Sequence, residues 1–302
     1  MLRCYHRGIM KKYKQYGISA FLILGIVVLV VNGQTKHAAA SISNAASTAV
    51  SSANAAQTSK TTTSTAKTAE ASLVADMNTA ANSTDLSWAA SVIDLQTGKE
   101  YDAGATSTVY KAASTAKVLT AVDYLHEVEQ GQATLDQSID GTSARQLMQQ
   151  MIEVSDNTAW SNLNDYLGDA QEQAYATSLG MTDFTGSDYQ TMTAHDEAIL
   201  LAQLADGKLI NSSDRSILYN FMANTDSSNL IPAALPSGAT VYHKYGELWG
   251  DLHDAAIVHY QGHSFVLVVY TNNTDGTMDE YNDQVSLIHD ITAAVWKDIS
   301  AS

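Results

Sequence analysis

The chain has 302 residues, enough for one sizeable domain and an appendage, and a formal net charge of −16 from 16 Lys+Arg and 32 Asp+Glu. Residues 1–70 hold 8 of the basic residues and a single acidic one, Glu70, so 71–302 carries 8 basic and 31 acidic residues. An acidic domain of this kind repels phosphate backbones, which argues against nucleic acid as a partner. The lone cysteine, Cys4, leaves the remainder without disulfides or a thiolate metal site.

In chain order, Arg3, Arg7, Lys11, Lys12 and Lys14 precede an apolar run over 18–31. Basic residues before such a run hold the N-terminus in the cytoplasm and send the rest across the membrane. Residues 1–32 are therefore expected to be a basic stub with a transmembrane signal-anchor or a signal peptide. The domain that follows is then extracytoplasmic, attached to the cell membrane by a single pass or secreted if the leader is cut. Residues 33–68 are dominated by Ser, Thr, Ala and Asn and cannot bury enough surface to order themselves, so they read as a flexible linker.

The domain proper is expected over 69–302. Helical spacing covers 69–82, and strands follow at 87–94 and 100–103, joined by the turn at Gln96-Thr-Gly98. A helix starts at Ser114 and stops before Gly131. Helices are predicted at 143–154, 159–167, 170–179, 194–205 and 213–224. The period then changes to two, predicting strands at 241–247, 254–260 and 264–270, and a last helix runs over 280–299. The order implies an α/β (α+β) fold: an antiparallel sheet flanked by N- and C-terminal helices, with an all-helical subdomain inserted at about 113–211. A cleft is expected between the two halves.

Three segments carry chemistry. Tyr110-Lys-Ala-Ala-Ser114-Thr-Ala-Lys117 sets a hydroxyl and an amine three residues apart, neighbours on one helix face. Serine becomes a good nucleophile when a base lies within hydrogen-bond reach. The positive end of a helix dipole favours the alkoxide, and burial together with a nearby cation makes a neutral lysine accessible near neutral pH. A helix-start serine and a surface lysine account for Ser-x-x-Lys equally well when it stands alone. The second segment, Ser155-Asp156-Asn157, offers a hydroxyl beside the nucleophile and an amide for substrate, with Asp156 expected to point inward and hold the loop; its plain alternative is a helix N-cap. The third, Lys244-Tyr245-Gly246, lies on a predicted strand behind His243. There glycine allows close backbone approach, and the lysine attracts a carboxylate and depresses the pKa of Lys117. The plain alternative for Lys244 is an edge-strand lysine that discourages aggregation. His195 and His253 are expected in the core or in support, and Trp160 and Trp249 to pack. His259 and His263 flank a hairpin turn, which is not metal-site spacing, so neither metal nor cofactor is expected.

In this order the three segments resemble the serine β-lactamase and penicillin-binding protein superfamily, and more closely its class A β-lactamase-like serine hydrolases, over 69–302. Met151-Ile-Glu-Val-Ser-Asp-Asn-Thr-Ala159, Thr193-Ala-His-Asp196, His243-Lys-Tyr-Gly-Glu-Leu248 and His253-Asp-Ala-Ala-Ile-Val258 extend the likeness. The resemblance implies Ser114 as acyl-enzyme nucleophile, Lys117 as its base, Ser155 as proton relay, and Asn157, Lys244, Tyr245, Gly246 and Glu247 as the substrate-binding set. The backbone N–H groups of Ser114 and Glu247 would form the oxyanion hole. The implied partner is a small-molecule β-lactam or a cell-wall peptide, handled by a monomer. The implied activity is hydrolysis of β-lactam or related amide bonds; alternatives are processing of D-alanyl peptides and a slow-turnover receptor for β-lactams or wall fragments. Two departures stand out. Tyr245 replaces the family's Thr or Ser, and no Glu-Pro-x-x-Leu-Asn loop occurs between Asn157 and Thr193, where Asp183 and Asp188 are the acidic candidates. Slow deacylation is the expected consequence.

Overall fold

The computed structural model describes residues 72–186, 189–273 and 280–301. The apolar run at 18–31, the linker at 33–68 and Asp188 lie outside them. Among the described residues, no helix is long and apolar enough to cross a membrane.

A helix over 72–80 (α1) leads into strands β1 (Ser87–Asp94), β2 (Glu100–Gly104) and β3 (Tyr110–Lys111). A 3-10 turn (Ala113–Ala116) opens α2 (Lys117–Glu129), followed by β4 (Ser138–Ile139) and β5 (Thr142–Ser143). Three helices come next: α3 (Ala144–Glu153), α4 (Asn157–Leu167) and α5 (Asp169–Ser178). Then come β6 (Thr191–Met192), α6 (Ala194–Ala205), α7 (Ser212–Ala223) and the short α8 (Ile231–Ala234). The chain returns to the sheet with β7 (Thr240–Leu248), β8 (Asp251–Tyr260) and β9 (His263–Asn272), and α9 (Tyr281–Ile299) closes it.

The five long strands form one antiparallel sheet in the order β2-β1-β9-β8-β7. Successive side chains of a strand point to opposite faces. On β9, Val266, Val268 and Tyr270 join one core cluster, while Phe265, Leu267 and Val269 join the other. Both faces are apolar, so both are covered. The first cluster lies between the sheet and the helical block, with Leu119, Met148, Leu163 and Leu201 among its members. The second is capped by Leu73 and Met77 of α1 and by Leu287, Ile288, Ile291 and Val295 of α9.

This is the α+β architecture that the sequence predicts. The observed β7, β8 and β9 run past their alternating cores because both hairpins are two-residue turns. Trp249-Gly250 and Gln261-Gly262 each have positive φ at both positions (46° and 87°, 49° and 88°). That geometry matches the twist of paired strands and keeps the ladder intact up to the turn. The two-residue pairings β3–β6 and β4–β5, and the single-turn α8, are too short to carry any periodicity.

Candidate active site

The Ser114 segment is fixed at both ends. Ahead of it, β3 pairs with β6, and Ala112 N–H donates to Gln190 O at 2.9 Å. Behind it, Thr115 Oγ1 lies 2.8 Å from Ala112 O and 3.0 Å from the Tyr270 hydroxyl. Between these anchors Ala113 is held at φ 52°, a left-handed conformation costing a non-glycine residue on the order of 1–2 kcal/mol. The α-helix starts at Lys117, three residues later than predicted, because Ser114 occupies the 3-10 turn. Ser114 is half-buried, while Lys117 is 3 % exposed.

The second segment meets Lys117 from α3 and α4. Ser155 turns the chain at φ 58°. Asp156 then accepts the Ala159 N–H at 2.7 Å and caps α4. It is exposed rather than turned inward as expected, because its carboxylate satisfies the otherwise unpaired N–H groups at the helix start. Lys117 Nζ donates to Ser155 O and Asn157 Oδ1, both at 2.7 Å, and lies 3.3 Å from Ser155 Oγ. Burial pushes the pKa of Lys117 down to about 7, the charge of Lys244 pushes the same way, and Asp156 opposes both. The unprotonated amine keeps two donors for the short bonds and turns its lone pair to a hydroxyl.

The third segment docks on the nucleophile turn along the outer edge of β7. A Cβ at Gly246 would lie 2.9 Å from Ser114 N and 3.0 Å from Ala112 O, so only glycine permits this approach. Lys244 is fully buried, so it is not a surface edge-strand lysine. Burial lowers its pKa to about 8, against the pull of Asp226, Asp254 and Glu197. Its Nζ donates to Tyr245 O at 3.1 Å and sits 4.1 Å from the centre of the Tyr245 ring. That ring packs on the cluster under α1 and α9, and the charge of Asp226 acts on its hydroxyl. Glu247 is exposed. Beside Lys244, His243 Nδ1 lies 2.9 Å from Asp254 Oδ1, and its Nε2 lies 2.8 Å from Thr225 Oγ1.

The remaining candidates fall outside this constellation. His253 is buried and held neutral, with burial taking its pKa down to about 4. It donates from Nε2 to Lys111 O at 3.0 Å and accepts the Thr271 N–H at Nδ1 (3.1 Å). His195 pairs with Asp102 at 3.1 Å. Trp160 packs and donates to Thr120 Oγ1 at 3.2 Å. Trp249, expected to pack, is instead 56 % exposed and edge-on to Tyr189, with Lys111 Nζ 5.2 Å above its ring. The hairpin turn that carries it lifts it off the sheet. Asp183 is exposed, and the carboxylate that accepts its N–H is Asp196.

Of the buried carboxyl groups that escaped the sequence reading, Glu172 and Glu197 have no exposed surface. Glu172 on α5 bonds Thr120 Oγ1 at 2.6 Å and Gln190 Nε2, and burial raises its pKa to about 7. Glu197 on α6 is hydrogen-bonded to the Tyr270 hydroxyl beneath the nucleophile turn, and burial raises it likewise to about 7. The signal for Glu197 was present: it precedes Leu200, Leu201 and Leu204 by three, four and seven residues, which puts it on the apolar face of its helix.

A Ser-x-x-Lys turn, a Ser-Asp-Asn loop and a Lys-x-Gly sheet edge gathered at one point define the class: a serine hydrolase of the class A β-lactamase-like type. The fold is shared with a solved structure of PBP-A (21 % identity, TM-score 0.70, covering 76 % of this chain and 96 % of that one). It is also shared with a mutant of PBP-A solved as an acyl-enzyme complex with penicillin G (21 %, 0.69, 78 % and 97 %). The putative class A β-lactamase PenP from Rhodopseudomonas palustris is similar as well (23 %, 0.68, 74 % and 98 %). The β-lactamase enzyme family matches over residues 71–299, and the chain belongs to that family.

Proposed function

We propose that Ser114 is acylated by an activated amide or ester of the β-lactam or cell-wall-peptide kind, and that the acyl-serine is hydrolysed slowly. The observation that carries this reading is the buried Lys117 amine, 3.3 Å from Ser155 Oγ and three residues after the half-buried Ser114. Lys117 takes the hydroxyl proton as Ser114 Oγ bonds the carbonyl carbon. As the C–N bond breaks, Ser155 gives its hydroxyl proton to the departing nitrogen and takes one back from Lys117, so both side chains end neutral. The backbone N–H groups of Ser114 and Glu247 would hold the oxyanion, a role supported by the seating of β7 on the turn at Gly246. Asn157 and Gly246 line the approach.

Slow release follows from where the acids lie. Glu172 and Glu197 are both fully buried and bonded to Thr120, Gln190 and Tyr270. Neither is open to a water that could be activated beside Ser114. The test is intact mass of the purified chain treated with penicillin at saturating concentration. A persistent adduct that is lost in Ser114→Ala is expected. An adduct that vanishes as fast as it forms would support an efficient β-lactamase, and no adduct at all would refute acylation by β-lactams. We further propose that residues 1–32 tether the domain outside the cell membrane as a monomer. Fractionation should find the chain with membranes until 18–31 is deleted, whereas a cytosolic chain would refute the tether.

A further inference from the structure

Lys244 is the cation expected to receive an anionic substrate, yet its ammonium is closed off. It has no exposed surface, the Tyr245 ring lies 4.1 Å away, and the Tyr245 carbonyl accepts one of its protons at 3.1 Å. Two carboxylates, Asp226 and Asp254, already act on its single charge. Asp226, whose charge acts on the Tyr245 hydroxyl, and Glu247 are both exposed. The cation on β3, Lys111, is held over the rings of Trp249 and Tyr189. An arriving carboxylate would have to displace an aromatic ring and then lie beside like charges, a juxtaposition that discriminates strongly against a ligand.

From this arrangement we infer that the acyl donor for Ser114 carries no free carboxylate opposite Lys244: the site selects uncharged, esterified or amidated donors, with Tyr245 and Asp226 as the specificity-determining residues. The inference rests on Ser114 being the acylated residue. In the step itself a Ser114 Oγ–C bond forms and the lactam C–N bond breaks. The hydroxyl proton ends on the ring nitrogen, so the adduct has the full mass of the lactam.

Benzylpenicillin and its methyl ester differ in that charge and one methyl group, so their adducts differ in mass. The full chain is treated with each, and labelling rates are corrected for each compound's reactivity with hydroxide ion. The ester should label Ser114 about tenfold faster or more, equivalent to about 1.4 kcal/mol of discrimination. Tyr245→Thr and Asp226→Asn should each narrow that ratio, the second being an exposed position whose change leaves the fold intact. Labelling by the free acid at the same rate or faster overturns the inference while leaving acylation standing. A ratio unmoved in both variants overturns the assignment to Tyr245 and Asp226. Labelling by neither compound overturns acylation and the inference together.

Discussion

The Lys117 amine is brought down to about 7 because folding removes its water; at the surface the same amine would stay protonated at neutral pH. Its neighbour Ser155 shows a conflict between local stability and chemistry. A serine at φ 58° is strained, and glycine would be at ease there. Ser155→Gly should therefore be more stable than Ser155→Ala by about 1 kcal/mol, as read from urea denaturation. Both should slow Ser114 acylation by about a hundredfold, because both delete the hydroxyl proposed as the relay. Equal stability of the two variants would show that the backbone at 155 is unstrained.

At the scale of elements, the site depends on how closely β7 seats on the 3-10 turn. Gly246→Ala places a methyl group 2.9 Å from Ser114 N, and the turn or the strand must shift. Overpacking of this kind costs about 1–3 kcal/mol, and acylation should fall by more than tenfold because the nucleophile moves with the turn. A variant that acylates at the wild-type rate would show that the contact positions nothing. Much of this was legible in the sequence. Alternation at 264–270 marked a two-faced strand, and Leu287, Ile288, Ile291 and Val295 marked a covering helix. Ser-x-x-Lys, Ser-Asp-Asn and Lys-x-Gly marked three segments that the fold brings together. What was not legible depends on contacts between distant segments. Nothing local in Ala112-Ala113 announces a positive φ, which is imposed by anchors at Gln190 and Tyr270. Likewise, nothing in Tyr245 alone says that its ring lies against Lys244.

Across the whole molecule, buried acids couple stability to pH. Thr115, Tyr270 and Glu197 form a chain ending on Ala112 O. With one proton on each hydroxyl, the chain is complete only when Glu197 is protonated. A carboxyl group whose pKa rises on folding from 4.5 to about 7 contributes stability that is whole below the unfolded value and is lost as pH climbs to the folded one. Buried His253, lowered to about 4, works in the opposite direction over part of the same range. Comparison with Glu197→Gln isolates the carboxyl group, since the amide keeps a donor for Tyr270 and cannot ionise. The variant's Tm relative to wild type should rise between about pH 5 and about pH 7.5, and a difference independent of pH would contradict the buried proton. The pairing of Ser114 with an uncharged Lys117 is tested most directly by the pH dependence of Ser114 acylation in wild type and in Lys244→Met. The predicted wild-type rate rises with a midpoint near the Lys117 value of about 7, and removing the second cation moves that midpoint upward. A rate that does not change with pH across this range, or a midpoint that stays put without Lys244, would contradict it.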